Sequence, residues 1–287
     1  MGGLFDFIDE WFRGIMIEGI LSNFASMFDD LNIRVNEIAS QVGETPAGWN
    51  ASIFDMVRNI SETVIIPIAG IILTFIMCYE LIQMILEKNN MADFDTFNIY
   101  KWVFKTFCAV LILTNTFDIV VGVFEIAQHV INNSANVIIG NLDVEIALAD
   151  LESQLEDMTR GSLVMFYIES GLLQLAIRVI SICVFLIIYG RMIEIYLSIS
   201  LAPIPLATIV NREWGNMGNS YLKSLFALAF QGFLIMVCVA IYAALLSSIT
   251  IADDVRSAAW GTAAYTILLA FTLFRTSGLA KSLFNSG

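Results

Sequence analysis

The side chains of this chain that are able to take part in chemistry are ionisable groups set inside long apolar runs. Arg178 lies near the middle of one run, and Glu169 precedes it in the same run. A charge in the hydrocarbon of a bilayer is costly, so it either lines a polar path or pairs with another charge. Two interpretations of Arg178 stay open. It lines a polar path or subunit interface, or it pairs with Glu169 or Glu194 and fixes helix packing.

A second group of candidate residues surrounds two of the four prolines. Arg191 and Glu194 stand three residues apart, a spacing that allows them to pair on one helix face. Pro203 and Pro205 follow, and proline both removes a backbone donor and clashes with the preceding turn. Broken helix is tolerated in a bilayer only where it is buried in protein or lines a cavity. The segment predicts a hinge or constriction, or else a packed structural kink.

Motifs of common catalytic and nucleotide-binding sites are missing from the sequence. It has no G-x-x-x-x-G-K-[ST], no H-E-x-x-H and no G-x-S-x-G. The single histidine and the four cysteines show no spacing typical of metal ligands. We therefore expect no enzymatic activity, no metal and no cofactor, although bound phospholipid is expected. The net charge of −13 and the scattered basic residues argue against stable binding of nucleic acid.

Composition and hydropathy predict an all-α, polytopic helical membrane protein. Hydrophobic residues make up 58% of the chain, whereas charged residues make up 14%, well below the usual share in soluble domains. About 20 apolar residues are needed to cross a bilayer. The sequence predicts five such spans, with the proline-broken segment 191–210 as a re-entrant or kinked addition, and six spans as an alternative. The predicted spans are 63–86, 102–124, 162–189, 224–251 and 257–274.

The N-terminal part predicts an amphipathic helix over residues 4–31, followed by a loop over 40–50. Apolar residues recur at helical spacing, while acidic residues fall off that stripe. Trp11, Phe12 and Ile15 are candidates for docking to a partner. The domain organisation expected is an amphipathic region 1–60, a membrane domain 61–275 with an acidic loop 140–160, and a short tail 276–287.

The placement of basic residues predicts the topology. Lys88, Lys101 and Lys105 flank the loop between the first two spans, and basic loops remain on the cytoplasmic side. The N-terminal region and the acidic loop are then extracytoplasmic. The C-terminal tail, which follows Arg275 and contains Lys281, is cytoplasmic.

The proline segment and its surroundings resemble those of a known family. Arg191, Glu194, the run Ser198–Pro203 and the polar stretch Trp214–Lys223 leading into Leu225–Gln231 resemble the TrbL-like polytopic inner-membrane subunit of type IV secretion (conjugation) systems. The resemblance covers most of residues 60–275. It implies a non-enzymatic channel or assembly subunit in the bacterial cytoplasmic membrane, at the translocation conduit or pilus base. It also implies a homo-oligomer whose partners are membrane lipids, a pilin and cytoplasmic ATPases.

Two other functions compete with that expectation. The first is a secondary transporter or small-ion channel that uses Arg178, Glu194, Pro203 and Pro205, since ionisable residues near broken helices are typical of such proteins. The sequence shows no convincing internal repeat, which disfavours this alternative. The second is an assembly or immunity-type membrane factor that docks one partner through the N-terminal helix and forms no pore.

Overall fold

The computed structural model describes residues 2–86, 96–135, 151–248 and 255–285. Within these ranges 94% of the residues are helical and no strand occurs, which confirms the all-α prediction. A π-helical segment, Ser61–Ile65, joins the third and fourth helices, and residues 151–156 form a further helical turn. The helices, in chain order, are α1 (Gly2–Gly43), α2 (Pro46–Trp49), α3 (Ala51–Ile60), α4 (Ile66–Leu86), α5 (Thr96–Thr114), α6 (Thr116–Ala135), α7 (Arg160–Leu201), α8 (Pro203–Thr208), α9 (Gly215–Ser247) and α10 (Val255–Asn285).

In the described part of the chain, five helical segments are long and apolar enough to cross a membrane. This agrees with the predicted number of spans, but each segment begins before its predicted start, and the second and fourth segments end before their predicted ends. The segments are Ala51–Leu86, Phe97–Thr114, Arg160–Leu201, Gly215–Leu246 and Arg256–Phe284. The proline segment adds only the short helix α8, so it extends the third span and is not a sixth one.

The predicted second span, 102–124, is interrupted at Asn115. Helix α5 ends at Thr114 and α6 begins at Thr116. Three consecutive side chains bond back to carbonyls of the preceding turn: Thr114 Oγ1 to Val110 at 2.9 Å, and Asn115 Nδ2 to Leu111 and Thr116 Oγ1 to Ile112 at 2.8 Å each. Side chains that bond to the backbone in this way compete with regular helical geometry and bend helices.

The predicted loop over 40–50 is shorter and more ordered than the sequence suggests. Helix α1 continues to Gly43, and two capping side chains then start new helices. Thr45 Oγ1 accepts a hydrogen bond from the Gly48 backbone N–H at 3.1 Å, and Asn50 Oδ1 accepts one from Ile53 at 3.0 Å. Threonine and asparagine are favoured N-caps because they satisfy the free N–H groups of the first helical turn.

The chain divides into two compact units, and α7, α9 and α10 each contribute to both. Unit 1 combines residues 1–42, 133–188 and 234–276. In its core, a stripe of α1 side chains at helical spacing lies buried, together with side chains from the first half of α7. The buried α1 side chains are Ile20, Phe24, Met27, Leu31, Ile38 and Val42, and those of α7 include Leu163, Phe166, Leu173 and Ile177.

Unit 2 combines residues 43–132, 189–233 and 277–287. Its larger hydrophobic cluster joins α3, α6, the second half of α7, α8 and α9. A smaller cluster packs Ala207 of α8 against Leu73 of α4 and Ala109 of α5. The proline-containing helix is therefore held by apolar contacts on more than one side.

Some predictions fall outside the described residues. These are Lys88 with the rest of the loop 87–95, the part of the acidic loop before residue 151, and the last residues of the predicted fourth span, 249–251. The domain boundaries and the sidedness of the termini stay predictions.

Candidate functional site

Arg178 pairs with a residue of α1 and with neither of the partners expected from the sequence. Its Nε lies 3.7 Å from Oδ2 of Asp30, and both groups belong to unit 1. The expectation that Arg178 pairs with Glu169 or Glu194 is therefore wrong. The reason is that α1 lies along α7 and brings its own carboxylate to this level. The Arg178 side chain remains 61% exposed, so the pair is loose.

Glu169 forms a tighter ion pair in the same unit. Its Oε2 lies 2.8 Å from Nε of Arg256 on α10, and the glutamate side chain is only 22% exposed. The Arg256 guanidinium also lies over the Phe166 ring, 5.7 Å from its centroid. A partly buried pair of this kind ties the start of α10 to α7.

Glu194 pairs across helices in unit 2, and its partner is not Arg191. Its Oε1 accepts a hydrogen bond from Nζ of Lys281 on α10 at 3.2 Å. The spacing of Arg191 and Glu194 allows them to pair, but no such ion pair occurs among the described residues. Arg191 points into the interior, whereas Glu194 stays at the surface.

Arg191 is the most deeply buried charge among the candidates. Its side chain is 4% exposed, and its Nε has no hydrogen-bond partner. The guanidinium passes close to Gly232 of α9: a Cβ at that glycine would stand 2.7 Å from Nη2 and 2.6 Å from Cδ1 of Ile131. Because Nη2 and Cδ1 are the far ends of flexible side chains, a larger residue at position 232 would require both of them to move. No pattern in the sequence points to this close approach at Gly232.

The two prolines lie at the start of α8, directly after a break at Ala202. Pro203 takes the first position of the helix, where the missing N–H is not needed. The backbone N–H of Ala202 bonds to the Ile199 carbonyl at 3.3 Å, and the N–H of Leu206 bonds to Ala202 at 3.2 Å. Pro203 is buried, so the break is packed inside unit 2.

Two residues that the sequence did not single out shape the turn from α8 into α9. The Asn211 side chain is buried, and its Oδ1 accepts hydrogen bonds from the backbone N–H groups of Glu213 and Trp214 at 2.8 and 3.0 Å. A Cβ at Gly218 would stand 2.7 Å from the Pro205 carbonyl oxygen. Asn211, shortly before the helix start at Gly215, is a favoured capping residue. This signal could have been read from the sequence.

The docking candidates on α1 are exposed. Trp11 is 62% exposed, Ile15 41% and Phe12 38%. At 3.6 residues per turn, Trp11 and Ile15 lie on the face of α1 opposite to its buried side chains. This end of α1 is therefore an apolar surface without a covering element in the described chain.

Unit 1 also contains a small, partly open crevice of about 20 Å³, room for about one water molecule. Apolar side chains of α1, α7 and α10 form most of its lining, and Arg34 lies among them. Arg34 pairs with Glu37 one turn further along α1. No group of three or more His, Cys, Asp or Glu side chains fit to hold a metal occurs in the described ranges.

A comparison with protein families finds one whose model matches this chain over residues 31–203. The family is described as TrbL/VirB6 plasmid conjugal transfer like protein. The chain belongs to this family. No curated protein and no solved structure matches the chain.

Membership assigns the chain to conjugal transfer, or type IV secretion, machinery and implies association with other components of that machinery. Together with the five apolar helices, it makes the chain a multi-pass membrane protein. The matched range includes Glu169, Arg178, Arg191, Glu194 and Pro203. It starts within α1, beyond Trp11, Phe12 and Ile15, and it stops before Pro205.

Proposed function

We propose that the protein is a non-enzymatic subunit of the translocation path or pilus base of a conjugal transfer machine. In this role it acts as a homo-oligomer in the bacterial cytoplasmic membrane, with a pilin and cytoplasmic ATPases as partners. The observation that carries the proposal is the family match over residues 31–203.

The arrangement of charges supports a structural role over a transport cycle. Arg178, Glu169 and Glu194 each have a counter-charge on another helix: Asp30 on α1, and Arg256 and Lys281 on α10. The least exposed of these pairs, between Glu169 and Arg256, ties α7 to α10. Ionisable groups inside a membrane mark the ion pathways of pumps and transporters, whereas these three side chains have counter-charges on other helices.

The exposed apolar end of α1 fits a second part of the proposal. We assign Trp11, Phe12 and Ile15 to contact with another subunit of the machine. Interfacial helices that lie on lipid usually carry Lys or Arg on their polar face. The described part of this end carries Glu10 and Glu18, both exposed, and its basic residue, Arg13, donates a hydrogen bond to the Glu156 carbonyl. A protein partner matches that composition better than an anionic lipid surface.

Conjugation from a donor strain that lacks the gene tests both parts of the proposal. The wild-type chain, supplied in trans, is expected to restore transfer by at least a thousandfold. The triple variant W11A/F12A/I15A should reach the membrane in normal amounts yet restore transfer at least tenfold less well.

A matched control uses exposed apolar residues elsewhere in unit 1. The variant L268A/F271A changes two α10 side chains that are 47% and 60% exposed and should face lipid. It is expected to restore transfer fully. Transfer that does not depend on the wild-type chain would refute the proposed function. Equal loss in both variants would refute the assignment of Trp11, Phe12 and Ile15 to a partner.

A further inference from the structure

Helix α1 runs alongside the first half of α7 in the same direction. Successive contacts join Gly19 to Tyr167, Asn23 to Ser170 and Asp30 to Arg178. Residue numbers therefore rise together on the two helices, with a separation of 147 at the Asn23–Ser170 hydrogen bond. This register sets residues 22–40 of α1 beside residues 170–188 of α7.

The helices around α1 in unit 1 have the composition of membrane-embedded segments. Residues 170–188 of α7 contain a single charge, Arg178, while residues 257–274 of α10 and 234–247 of α9 contain none. Eighteen helical residues extend for about 27 Å, close to the thickness of the hydrocarbon core. The Glu169–Arg256 ion pair lies at one end of these apolar stretches. By this register, residues 22–40 of α1 lie at the depth of the bilayer.

The outward face of α1 over these residues is polar. Phe24, Met27, Leu31 and Ile38 point into unit 1 and are buried. The exposed positions recur at helical spacing on the opposite face, and only Ile33 among them is apolar. The polar ones are Ser22, Asp29, Asn36, Glu37 and Ser40. We call these five residues the polar stripe of α1.

A polar stripe with two carboxylates is incompatible with contact to lipid tails. Charged side chains at this depth face the interior of a bundle or a water-filled cavity. Glu37 pairs with Arg34 on its own helix, which leaves both groups near the surface of α1. The other exposed positions of the neighbouring span α7 at the same depth are apolar, as at Leu175 and Ile182, each 59% exposed, and its one charge, Arg178, lies beside Asp30 of α1. Unit 1 thus has one polar and one apolar outer surface.

From this contrast we infer that the polar stripe of α1 borders a water-filled path at the depth of the bilayer, with acidic groups on its wall. The inference rests on the proposed function, because a transfer subunit requires such a path. Residues 22–40 would then lie within the membrane region, and not outside it as the sequence predicts for residues 1–60.

Reaction of single cysteines with a charged, membrane-impermeant methanethiosulfonate tests this inference in isolated membranes. Ser22, Asn36 and Ser40 are each replaced by cysteine, because a thiol differs little from these side chains in size. Leu175→Cys and Ile182→Cys are the matched controls on the apolar face. The background replaces Cys78, Cys108, Cys183 and Cys238 by serine. If that background does not accumulate, the added label is measured over the native chain.

We expect the three stripe cysteines to react at least tenfold faster than Leu175→Cys and Ile182→Cys. A cationic reagent should react with them several-fold faster than an anionic one, because Asp29 and Glu37 lie on the same face. Stripe cysteines as slow as the controls would overturn the inference, since the face is then covered by lipid or by protein. Controls as fast as the stripe would also overturn it, since unit 1 then lies outside the hydrocarbon.

The labelling result does not depend on conjugation, so the water-filled path and the proposed function can be refuted separately. Fast labelling of the stripe in a chain that proves dispensable for transfer keeps the water-filled path and removes the proposed function. Slow labelling in a chain that transfer requires keeps the proposed function and removes the path along α1.

Discussion

Among the candidate charges, Arg191 has the least favourable surroundings, because it is buried and its Nε lacks a hydrogen bond. An unsatisfied buried donor costs about 1–3 kcal/mol. Methionine has a similar length, fills the same space and carries no charge. We therefore predict that Arg191→Met has a free energy of unfolding equal to or higher than that of the wild type. Thermal unfolding of the protein in nanodiscs, followed by circular dichroism, measures this.

Arg191→Ala is the control, since it removes both the charge and the packing of the side chain. Emptying such a buried position costs about 2–5 kcal/mol by analogy with large-to-small core substitutions. If Arg191→Met lost as much stability as Arg191→Ala, the guanidinium itself would stabilise the fold, contrary to the prediction.

Two ion pairs of unit 1 differ in burial, so their contributions to stability can be compared. Glu169 is 22% exposed and lies 2.8 Å from Arg256, whereas Asp30 is 37% exposed and lies 3.7 Å from Arg178. Exposed pairs contribute about 0–1 kcal/mol, and truncating one partner of a more buried pair costs more. We predict that Glu169→Gln lowers the midpoint of thermal unfolding more than Asp30→Asn does. Equal shifts in the two variants would contradict this.

The sequence locates the charges within the apolar runs but does not predict their partners. Apolar runs reveal Glu169, Arg178, Arg191 and Glu194, because a charge in such a run is conspicuous. Their partners depend on the register between helices far apart in the chain. Asp30, for example, lies 148 positions before Arg178, and no local pattern contains that relation.

At the scale of elements, the turn from α8 into α9 depends on one close approach of backbones. A Cβ at Gly218 would stand 2.7 Å from the Pro205 carbonyl oxygen and 3.0 Å from Cα of Ile209, neither of which moves easily. Overpacking of this kind costs about 1–3 kcal/mol. We predict that Gly218→Ala lowers stability by that amount, as measured by thermal unfolding in nanodiscs.

Gly190→Ala supplies the matched control in a neighbouring helix. A Cβ at Gly190 meets no atom within 4 Å, so alanine there adds helix propensity without a clash. Its expected effect is a gain of about 0.5–1 kcal/mol. A stabilising Gly218→Ala would show that α8 and α9 do not approach as closely as Pro205 and Gly218 indicate.

Hydropathy predicted the elements well where they are long and apolar, and less well where polar side chains bend them. The five spans follow from long, largely apolar runs. Hydropathy does not predict the break at Asn115. The three polar residues Thr114, Asn115 and Thr116 are too few to end a predicted span. Their effect comes from hydrogen bonds to their own helix, which an average over a window of residues does not detect.

At the scale of the whole molecule, much of the surface remains apolar. Large apolar side chains are more than a third exposed along all five candidate spans, among them Ile71, Phe104, Leu186, Ile241 and Phe274. Lipid covers such a surface in a monomer, whereas other copies of the chain share the task in an oligomer. The sequence predicted this apolar surface from composition, but it does not show which part of it contacts protein.

The last prediction concerns the lipid and the other copies of the chain that cover this apolar surface. It follows from the proposed homo-oligomer. We predict that native mass spectrometry of the protein, released from nanodiscs, gives a closed homo-oligomer that retains several phospholipids. The retained phospholipids should cover exposed apolar side chains such as Leu186 and Phe274. A monomer would contradict the homo-oligomer, and an oligomer that retains no phospholipid would contradict the expected lipid covering.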